Sequence, residues 1–426
     1  MRKNIIVLSV FPCLALAVCM NVTQNAAAEN VVVYSEYTGP TSGYEPERYE
    51  TDNLSCSFDA DTGTLSIYGE GPMRSYFDVA PEWDEYYDAI FRVVLEDGIT
   101  SVGSYAFVYY PNLTEVYLPD SVEVIDESAF DFNTSLRTIT IPASLKYVGY
   151  RAFYNTLLWE PENLVFPEGC EYIGDFAFHS ALKSGGIVSL PSTLTFLGDC
   201  SFTNAYLSDF TVADSSGTFR SENGAIYSKD GKEMRMLAPV REGLSEFLVP
   251  DGVERISSEC FNQMRGIERV MIPASVTEIS EDAFFSTNDL KEIIVDEANP
   301  NYKSENGLLL SRDGTLLLSW PDGTEESELV IPNGVERIAG FLFYGRKDGS
   351  YTVVLSEGVR EIGTMCLPYS VTSLTLPISL EKIEPNVFYD GITVDSITYN
   401  GTLEDWNQIE IGEGNEALEN IPVYTN

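Results

Sequence analysis

A thirteen-residue phrase recurs along the chain, with its apolar positions kept and its polar positions changed. It reads IPASLKYVGYRAF at 141–153 and IPASVTEISEDAF at 272–284. A second pattern, L-x-x-L-x-L, precedes it, as in LTEVYL (113–118) and LKEIIV (290–295). Most successive copies lie 21 to 25 residues apart, and two longer gaps measure 36 and 37 residues. A sustained period of this length predicts a solenoid of stacked repeats.

The L-x-x-L-x-L segment is too short for a helix, and its alternating apolar positions predict one short strand per repeat. Strands that return once per repeat are expected to stack as one parallel sheet of about 13 strands. Proline follows most of these strands and ends them, because proline cannot donate to a ladder. Val276, Ile279 and Phe284 of the following phrase are expected to point into the core. A single repeat cannot bury them, so neighbouring repeats must stack.

The two long gaps carry matched insertions, SENGAIYSKDGKEM (221–234) and SENGLLLSRDGTLL (304–317). Their Asn-Gly and Asp-Gly steps between β-forming residues predict tight hairpins, which we expect to project from the solenoid edge. Solenoids need closed ends, and Trp83 and Trp406 are candidate anchors there. The predicted division is signal peptide 1–28, flexible lead-in 29–50, N-terminal cap 51–89 with its hairpin, solenoid 90–399 with insertions 213–243 and 296–325, and C-terminal cap 400–426.

The first 28 residues have the pattern of a secretory signal peptide. Arg2 and Lys3 precede an apolar run, and three alanines follow at 26–28. The run is too short to span a bilayer. Secretion or display at the cell surface is therefore expected. An alternative cleavage before Cys19 would leave a lipid-anchored protein.

The charge of the chain is strongly acidic, with 66 Asp and Glu against 25 Lys and Arg and a net charge of −41. Such a surface repels phosphate backbones and anionic lipids, so nucleic-acid and membrane-surface binding are not expected. Calcium or a cationic partner is one interpretation of this charge. The other is a soluble, self-repelling secreted protein.

The sequence offers little for catalysis. Its single histidine is His179, and no sequence motif provides partners for a catalytic triad or a metal site there. We therefore interpret His179 as a surface or packing residue. The four acids at 82–88 beside Trp83 are a weak match to a glycosidase pair. The DADTG segment (59–63) lacks the later ligands of a calcium loop, and a hairpin turn explains it better. We predict no enzyme activity, no cofactor and no metal.

Five cysteines remain after the predicted cleavage, with no C-x-x-C pair. Their odd number and wide spacing argue against a disulfide framework and against a zinc site. Cys170 takes the position of a core valine, and Cys260 and Cys366 take that of a core alanine. These three are therefore predicted to fill the core.

The repeats, from LPDSVEVIDESAF (118–130) to IPASVTEISEDAF (272–284), resemble the BspA-like leucine-rich repeats of bacterial surface proteins. The likeness spans roughly residues 54–411, including the GTLEDW…IEI ending. The cysteine that commonly follows the A-F pair in that family is absent here. The resemblance implies a curved right-handed solenoid, exported and used for adhesion to host or neighbouring-cell molecules. It does not indicate which ligand the protein binds.

The three x positions of each L-x-x-L-x-L strand should face solvent, on the concave side of the curve that the resemblance implies. We call this surface the strand face. Its length suits a protein or a polysaccharide better than a small molecule. Its last x position is mostly apolar, which indicates either recognition or simple β-propensity. The candidate binding residues are Phe91, Arg92, Glu115, Tyr117, Arg137, Thr140, Arg269, Met271, Lys291, Ile294 and Tyr351.

The sequence thus predicts a non-catalytic, adhesin-like protein that binds a protein of a host or neighbouring cell, or possibly a polysaccharide, through this face. Two alternatives stay open. One is a carbohydrate-binding accessory protein that uses exposed tyrosines. The other is a structural protein of the cell envelope without a specific ligand.

Overall fold

The computed structural model describes residues 53–158, 163–183, 185–239, 243–346, 349–389 and 391–425. The predicted signal peptide, the predicted lead-in and Cys19 lie outside these residues. Within them, no helix is both long and apolar enough to cross a membrane.

The L-x-x-L-x-L segments form the predicted strands, and parallel pairing stacks them in register. Val93 pairs with Val116, and Val116 pairs with Ile139, so the central apolar residues of successive repeats lie one above the other. All three are buried. The predicted solenoid of stacked parallel strands is confirmed. The front strands are Leu54–Asp59, Thr64–Gly69, Arg92–Leu95, Glu115–Tyr117, Thr138–Ile139, Leu164–Val165, Ile187–Leu190, Asp209–Val212, Glu246–Leu248, Arg269–Ile272, Glu292–Val295, Glu328–Val330, Tyr351–Val354, Ser370–Leu376, Thr393–Val394, Ile397–Tyr399 and Val423–Thr425. The first of them, Leu54–Asp59, pairs antiparallel with Thr64–Gly69 as a hairpin.

The structure differs from the single predicted sheet in two ways. The front strands are divided among four sheets. In addition, the V-x-x-I part of most phrases forms a second, shorter strand, so most repeats contribute two strands rather than one. The second-row strands are Gly71–Pro72, Ile99–Val102, Val124–Ile125, Tyr147–Val148, Tyr172–Ile173, Phe196–Leu197, Arg255–Ile256, Glu278–Ile279, Arg337–Ile338, Glu361–Ile362, Lys382–Ile383 and Glu410–Ile411.

Glycine often follows the second-row strand because successive repeats approach closely there. The Gly149 N–H donates to the Ile125 carbonyl of the preceding repeat at 2.8 Å. A Cβ at Gly149 would lie 2.6 Å from the backbone nitrogen of Glu127. A larger residue would therefore push adjacent repeats apart.

The A-F pair of each phrase builds a ladder of phenylalanines along the core. The rings of Phe130 and Phe153 are stacked with centroids 5.3 Å apart, and those of Phe153 and Phe178 are 4.9 Å apart. Backbone bonds reinforce the stack, since the Phe130 N–H donates to the Ala152 carbonyl at 2.8 Å. Each turn thus pairs with the next turn, which explains why the phrase must recur. The stacked rings are Phe107, Phe130, Phe153, Phe178 and Phe202, and, after the first insertion, Phe261 and Phe284.

The insertions contain the predicted hairpins but do not project. In the first, Asn223 and Gly224 both have positive φ, as a tight hairpin turn requires. The third strand of this insertion pairs in parallel with Arg255–Ile256 and so joins the second row. The middle strand is largely buried. The insertion strands are Phe219–Glu222, Ala225–Ser228, Glu233–Leu237, Tyr302–Glu305, Leu308–Ser311 and Leu316–Ser319.

Both ends carry an aromatic anchor. Trp83 is buried and stacks on Phe107 at 5.4 Å, and its Nε1–H donates to the Ala106 carbonyl at 3.3 Å. Trp406 contacts Tyr399 edge-on at 5.3 Å. The helical segments lie at these ends: the 3-10 turn Asp84–Tyr86, the α-helix Leu403–Trp406 and the 3-10 helix Glu416–Asn420.

Candidate binding face

At the N-terminal end of the strand face, three predicted residues form one contact cluster. Register places Arg92 beside Glu115, and Arg92 Nε lies 2.7 Å from Glu115 Oε2. The Tyr117 hydroxyl donates to the same oxygen at 3.2 Å. The hydrogen bond from Arg92 lowers the pKa of Glu115 and raises that of Arg92. An exposed ion pair adds little stability, so its main effect is to orient Tyr117 and Arg92. Phe91 lies beside them and is exposed.

Arg269 and Lys291, two of the candidate binding residues, do not form a free basic patch. Arg269 lies between two carboxylates, with Nη1 2.8 Å from Glu246 and Nε 3.2 Å from Glu292. Lys291 Nζ lies 2.8 Å from Glu268. Parallel register places acids of adjacent strands beside both cations, and each charge is neutralised across the sheet.

The candidate residues Arg137 and Thr140 differ in the contacts that their side chains make. Arg137 is exposed and makes no ion pair with a described residue. The Thr140 hydroxyl accepts from the Leu118 N–H at 2.6 Å and donates to the Leu118 carbonyl at 3.1 Å. It thereby completes the ladder where the strand Thr138–Ile139 ends. Thr140 therefore has a structural role and offers little to a ligand.

Tyr351 does not belong to the strand face. Its side chain is only 8 % exposed, and the Arg346 guanidinium lies 5.8 Å from its ring centroid. The pairing of Tyr351–Val354 with Ser370–Leu376 shifts register between Tyr351 and Thr352. A bulge re-aims side chains in this way, and the repeat pattern alone gave no sign of it.

The last x position of the strands forms an exposed, mostly apolar column. Val165 is 59 % exposed and Leu248 is 61 % exposed. Register aligns Leu248 with Met271 and Met271 with Ile294. Sequence reasoning missed Tyr424, which pairs beside Thr398 on a further strand. The alternating V-Y-T after Pro422 was its only signal. We call these positions the apolar column: Val94, Tyr117, Val165, Leu248, Met271, Ile294, Val330, Val354 and Tyr424.

The interpretation of His179 as a packing residue fits the structure, whereas a surface position does not. The ring is buried and stacks on Tyr154 at 4.9 Å, and burial lowers its pKa to about 3. Its Nδ1 lies 3.1 Å from the Ser180 hydroxyl. It is therefore neutral near pH 7 and shielded from solvent.

The predicted core cysteines Cys170, Cys260 and Cys366 are buried and unpaired. Burial raises the pKa of Cys170 to about 12, so its thiol is unreactive near neutral pH. In the DADTG segment, the Asp59 carboxylate accepts from the Asp61 N–H at 3.0 Å, as in a hairpin turn. Within the described ranges, no three His, Cys, Asp or Glu side chains are grouped to hold a metal ion.

The repeats match the profile of the BspA type leucine rich repeat region in six copies, over residues 100–223, 241–306 and 322–420. Comparison with curated proteins gives no match. Among solved structures, a leucine rich cell surface protein of Faecalibacterium prausnitzii is 18% identical, covers 87% of this chain and 99% of its own, and has a TM-score of 0.39. A leucine-rich repeat protein of Bacteroides ovatus is 18% identical, covers 85% of this chain and 90% of its own, and has a TM-score of 0.37. The pneumococcal vaccine antigen PcpA is 18% identical, covers 87% of this chain and 85% of its own, and has a TM-score of 0.30. On its repeats, the chain belongs to the BspA-type leucine-rich-repeat family.

Proposed function

We propose that this protein is a secreted or cell-surface adhesin-like protein that recognises a protein ligand, of a host or neighbouring cell, through the strand face. Family membership indicates a non-catalytic binding role and macromolecular partners. The observation that carries the proposal is the apolar column. Leu248 is 61 % exposed and Val165 is 59 % exposed, although burying such a side chain completely is worth about 1.5–3 kcal/mol.

The arrangement of the strand face resembles a protein interface. The centres of such interfaces are rich in aromatic and apolar side chains, and their rims are polar. Here the apolar column runs beside positions held by cross-strand ion pairs, such as Arg92–Glu115 and Arg269–Glu246. β-Propensity explains a valine or threonine in a strand, but it does not require Leu248 or Met271. A protein ligand would bury the column and leave the ion pairs at the edge.

The experiment compares two matched double variants in a binding screen. The strand-face variant is Tyr117→Ala with Leu248→Ser, and the control is Tyr109→Ala with Leu403→Ser. The members of each pair are equally exposed, at 39 % and 38 % for the tyrosines and at 61 % and 63 % for the leucines. Tyr109 and Leu403 lie outside the strand face. The purified chain is tested against extracellular-matrix proteins and polysaccharides by surface plasmon resonance.

We expect saturable binding to a protein that weakens roughly tenfold or more in the strand-face variant, because interface anchors contribute at least 1–2 kcal/mol each. The control should bind as the parent does. Equal loss of binding in both variants, or no loss in either, would show that the ligand binds outside the strand face. Binding to polysaccharides alone would favour a carbohydrate-binding accessory protein. Binding to neither class would favour a structural envelope protein.

Neutral substitutions are preferable to charge reversal at Arg269 and Lys291. Arg269→Glu would face Glu246 and Glu292, and Lys291→Glu would face Glu268. Like charges directly opposite one another destabilise a sheet. Lost binding in such a variant would then reflect damage to the sheet as well as to the surface.

Export is a separate proposal with its own test. Expression of the full chain with its first 28 residues should yield a secreted product that begins at Glu29, because the three alanines precede that residue. N-terminal sequencing measures this directly. A lipid-modified product that begins at Cys19 would establish the alternative, and a product retaining Met1 would contradict both.

A further inference from the structure

A cavity of about 460 Å³ lies where the first insertion interrupts the stack. The front strands on its two sides, Asp209–Val212 and Glu246–Leu248, belong to different sheets. The cavity is separate from the strand face, because its lining comes from the turns that follow the A-F pair. The lining side chains used below are Lys183, Asn204, Tyr206, Gln263 and Arg265.

Corresponding positions of two repeats, one on each side of the first insertion, supply most of this lining. Asn204 and Gln263 each lie two residues after the phenylalanine of their repeat, and Tyr206 and Arg265 each lie four residues after it. Backbone bonds fix these turns, since the Tyr206 N–H donates to the Leu182 carbonyl at 2.7 Å and the Arg265 N–H donates to the Pro239 carbonyl at 2.8 Å. The repeat therefore holds a preformed set of polar groups around the cavity.

Two cations share the cavity, and none of its described lining residues carries a carboxylate. Most described Lys and Arg side chains lie within 4 Å of an acid, as Arg269 does, whereas Lys183 and Arg265 make no ion pair with a described residue. The pKa of Lys183 is lowered by burial and then by the charge of Arg265. The Arg265 guanidinium lies 5.1 Å from the Tyr206 ring centroid. Two like charges in one concavity favour an anion between them, as a local exception on a chain whose net charge is −41.

At the second insertion, the protein itself supplies hydrogen-bond partners for an arginine, Arg346. Arg346 is buried there, and its Nη2 donates to the Pro321 carbonyl at 2.8 Å. Its Nη1 donates to the carbonyls of Thr324 and Glu326. The loop of the second insertion therefore occupies both terminal nitrogens of its own arginine, and Asp322 Oδ1 lies 3.9 Å from the Nε. Nothing equivalent is present for Lys183 and Arg265 among the described residues.

We propose that this cavity binds an acidic saccharide unit, a sugar that carries a carboxylate or a sulfate. Lys183 and Arg265 hold the anionic group, and the amides of Gln263 and Asn204 pair with hydroxyls, since an amide both donates and accepts. Asn204 Nδ2 already donates to Ser180 Oγ at 2.6 Å, so its second N–H and its Oδ1 serve the ligand. The volume is within the usual range for small-molecule sites and exceeds what one aspartate or glutamate side chain of a peptide would fill. This site is independent of the proposed strand-face function, and either can fail without the other.

The test is isothermal titration calorimetry of the purified chain with glucuronic acid, glucosamine 6-sulfate, glucose, inorganic phosphate and a short acidic peptide. Arg265→Gln and Lys183→Gln each remove one cavity charge. Arg312→Gln is the matched control, because it removes an exposed arginine that makes no ion pair with a described residue and lies outside both the cavity and the strand face. Thermal melting verifies that all three variants fold.

We expect an acidic sugar to bind at least tenfold more tightly than glucose, phosphate or the peptide. Each cavity variant should weaken this binding roughly tenfold, as expected for a charge-assisted hydrogen bond, and Arg312→Gln should change it less than twofold. Comparison of the carboxylated and sulfated sugars identifies the anionic group. Equal binding of glucose, preference for the peptide or phosphate, equal loss in Arg312→Gln, or no binding of any probe would overturn the proposal.

Discussion

Val276→Asp is expected to unfold the repeats around it and to lower the free energy of unfolding by more than about 4 kcal/mol. Val276 is fully buried within the core cluster that includes Val253 and Ile279. A carboxylate at this position would have no cation beside it and would lose its hydration. Because each repeat of a solenoid depends on its neighbours, the damage should spread to the adjacent repeats. Circular-dichroism melting measures the change.

The matched control makes the same substitution at a valine of the exposed strand face. Val165→Asp should alter the free energy of unfolding by no more than about 0.5 kcal/mol, as is usual for surface positions, because Val165 is mostly exposed. An unchanged melting temperature for Val276→Asp would contradict the inward register of the phrase. Equal destabilisation by both variants would contradict the assignment of the two faces.

The parent protein is expected to lose stability between pH 6.5 and pH 9. Glu259→Gln should abolish most of this loss. Glu259 is buried in the turn before Cys260, and Asn262 Nδ2 donates to its Oε2 at 3.0 Å. Burial first, and then the charge of Asp282, raise its pKa from 4.5 to about 8. The folded state therefore keeps a proton that the unfolded state releases near pH 4.5.

The sign of the effect follows from this difference. The contribution of Glu259 to stability is complete below pH 4.5 and is lost as the pH rises towards 8. Between pH 6.5 and pH 9 the loss is about 2 kcal/mol, at 1.36 kcal/mol per pH unit. Burial also raises the pKa of Asp131 and Asp175, each to about 6, so most of their effect falls below this window. His179 is neutral in the folded state throughout it.

Urea unfolding of the parent and of Glu259→Gln at several pH values measures this difference. The two free-energy curves should come together as the pH falls to about 4.5 and separate by about 4–5 kcal/mol by pH 9. Glu325→Gln, which removes a carboxylate at an exposed position, is the control and should run parallel to the parent. Parallel curves for Glu259→Gln would show that Glu259 is ionised in the folded protein.

The repeat pattern predicts the core because the apolar residues that recur in every repeat are the ones that stacking buries. Val276 and Phe284 are buried where the phrase places them, and Cys170 and Cys366 fill the core positions expected of them. The second row of strands escaped prediction because a two-residue strand has no periodicity of its own. Its pairing depends on the close approach of repeats at positions such as Gly149.

The strand face was harder to predict because its chemistry depends on neighbours from other repeats. The acids that neutralise Arg269 and Lys291 can be assigned only once the cross-strand register is known. The bulge that buries Tyr351 involves the next repeat as well. The cavity near Arg265 was even harder to predict, because it forms where an insertion separates two repeats. Exposure of the apolar residue Leu248, by contrast, follows from strand alternation alone.

Hydroxyl-radical footprinting of the protein with the strongest protein ligand from the binding screen tests the central claim most directly. Mass spectrometry reports the oxidation of each side chain with and without the ligand. We predict that Tyr117, Leu248 and Ile294 lose reactivity in the complex, while the equally exposed Tyr109 and Leu403 keep theirs. Protection of Tyr109 or Leu403 with no change at Tyr117, Leu248 and Ile294 would contradict recognition through the strand face.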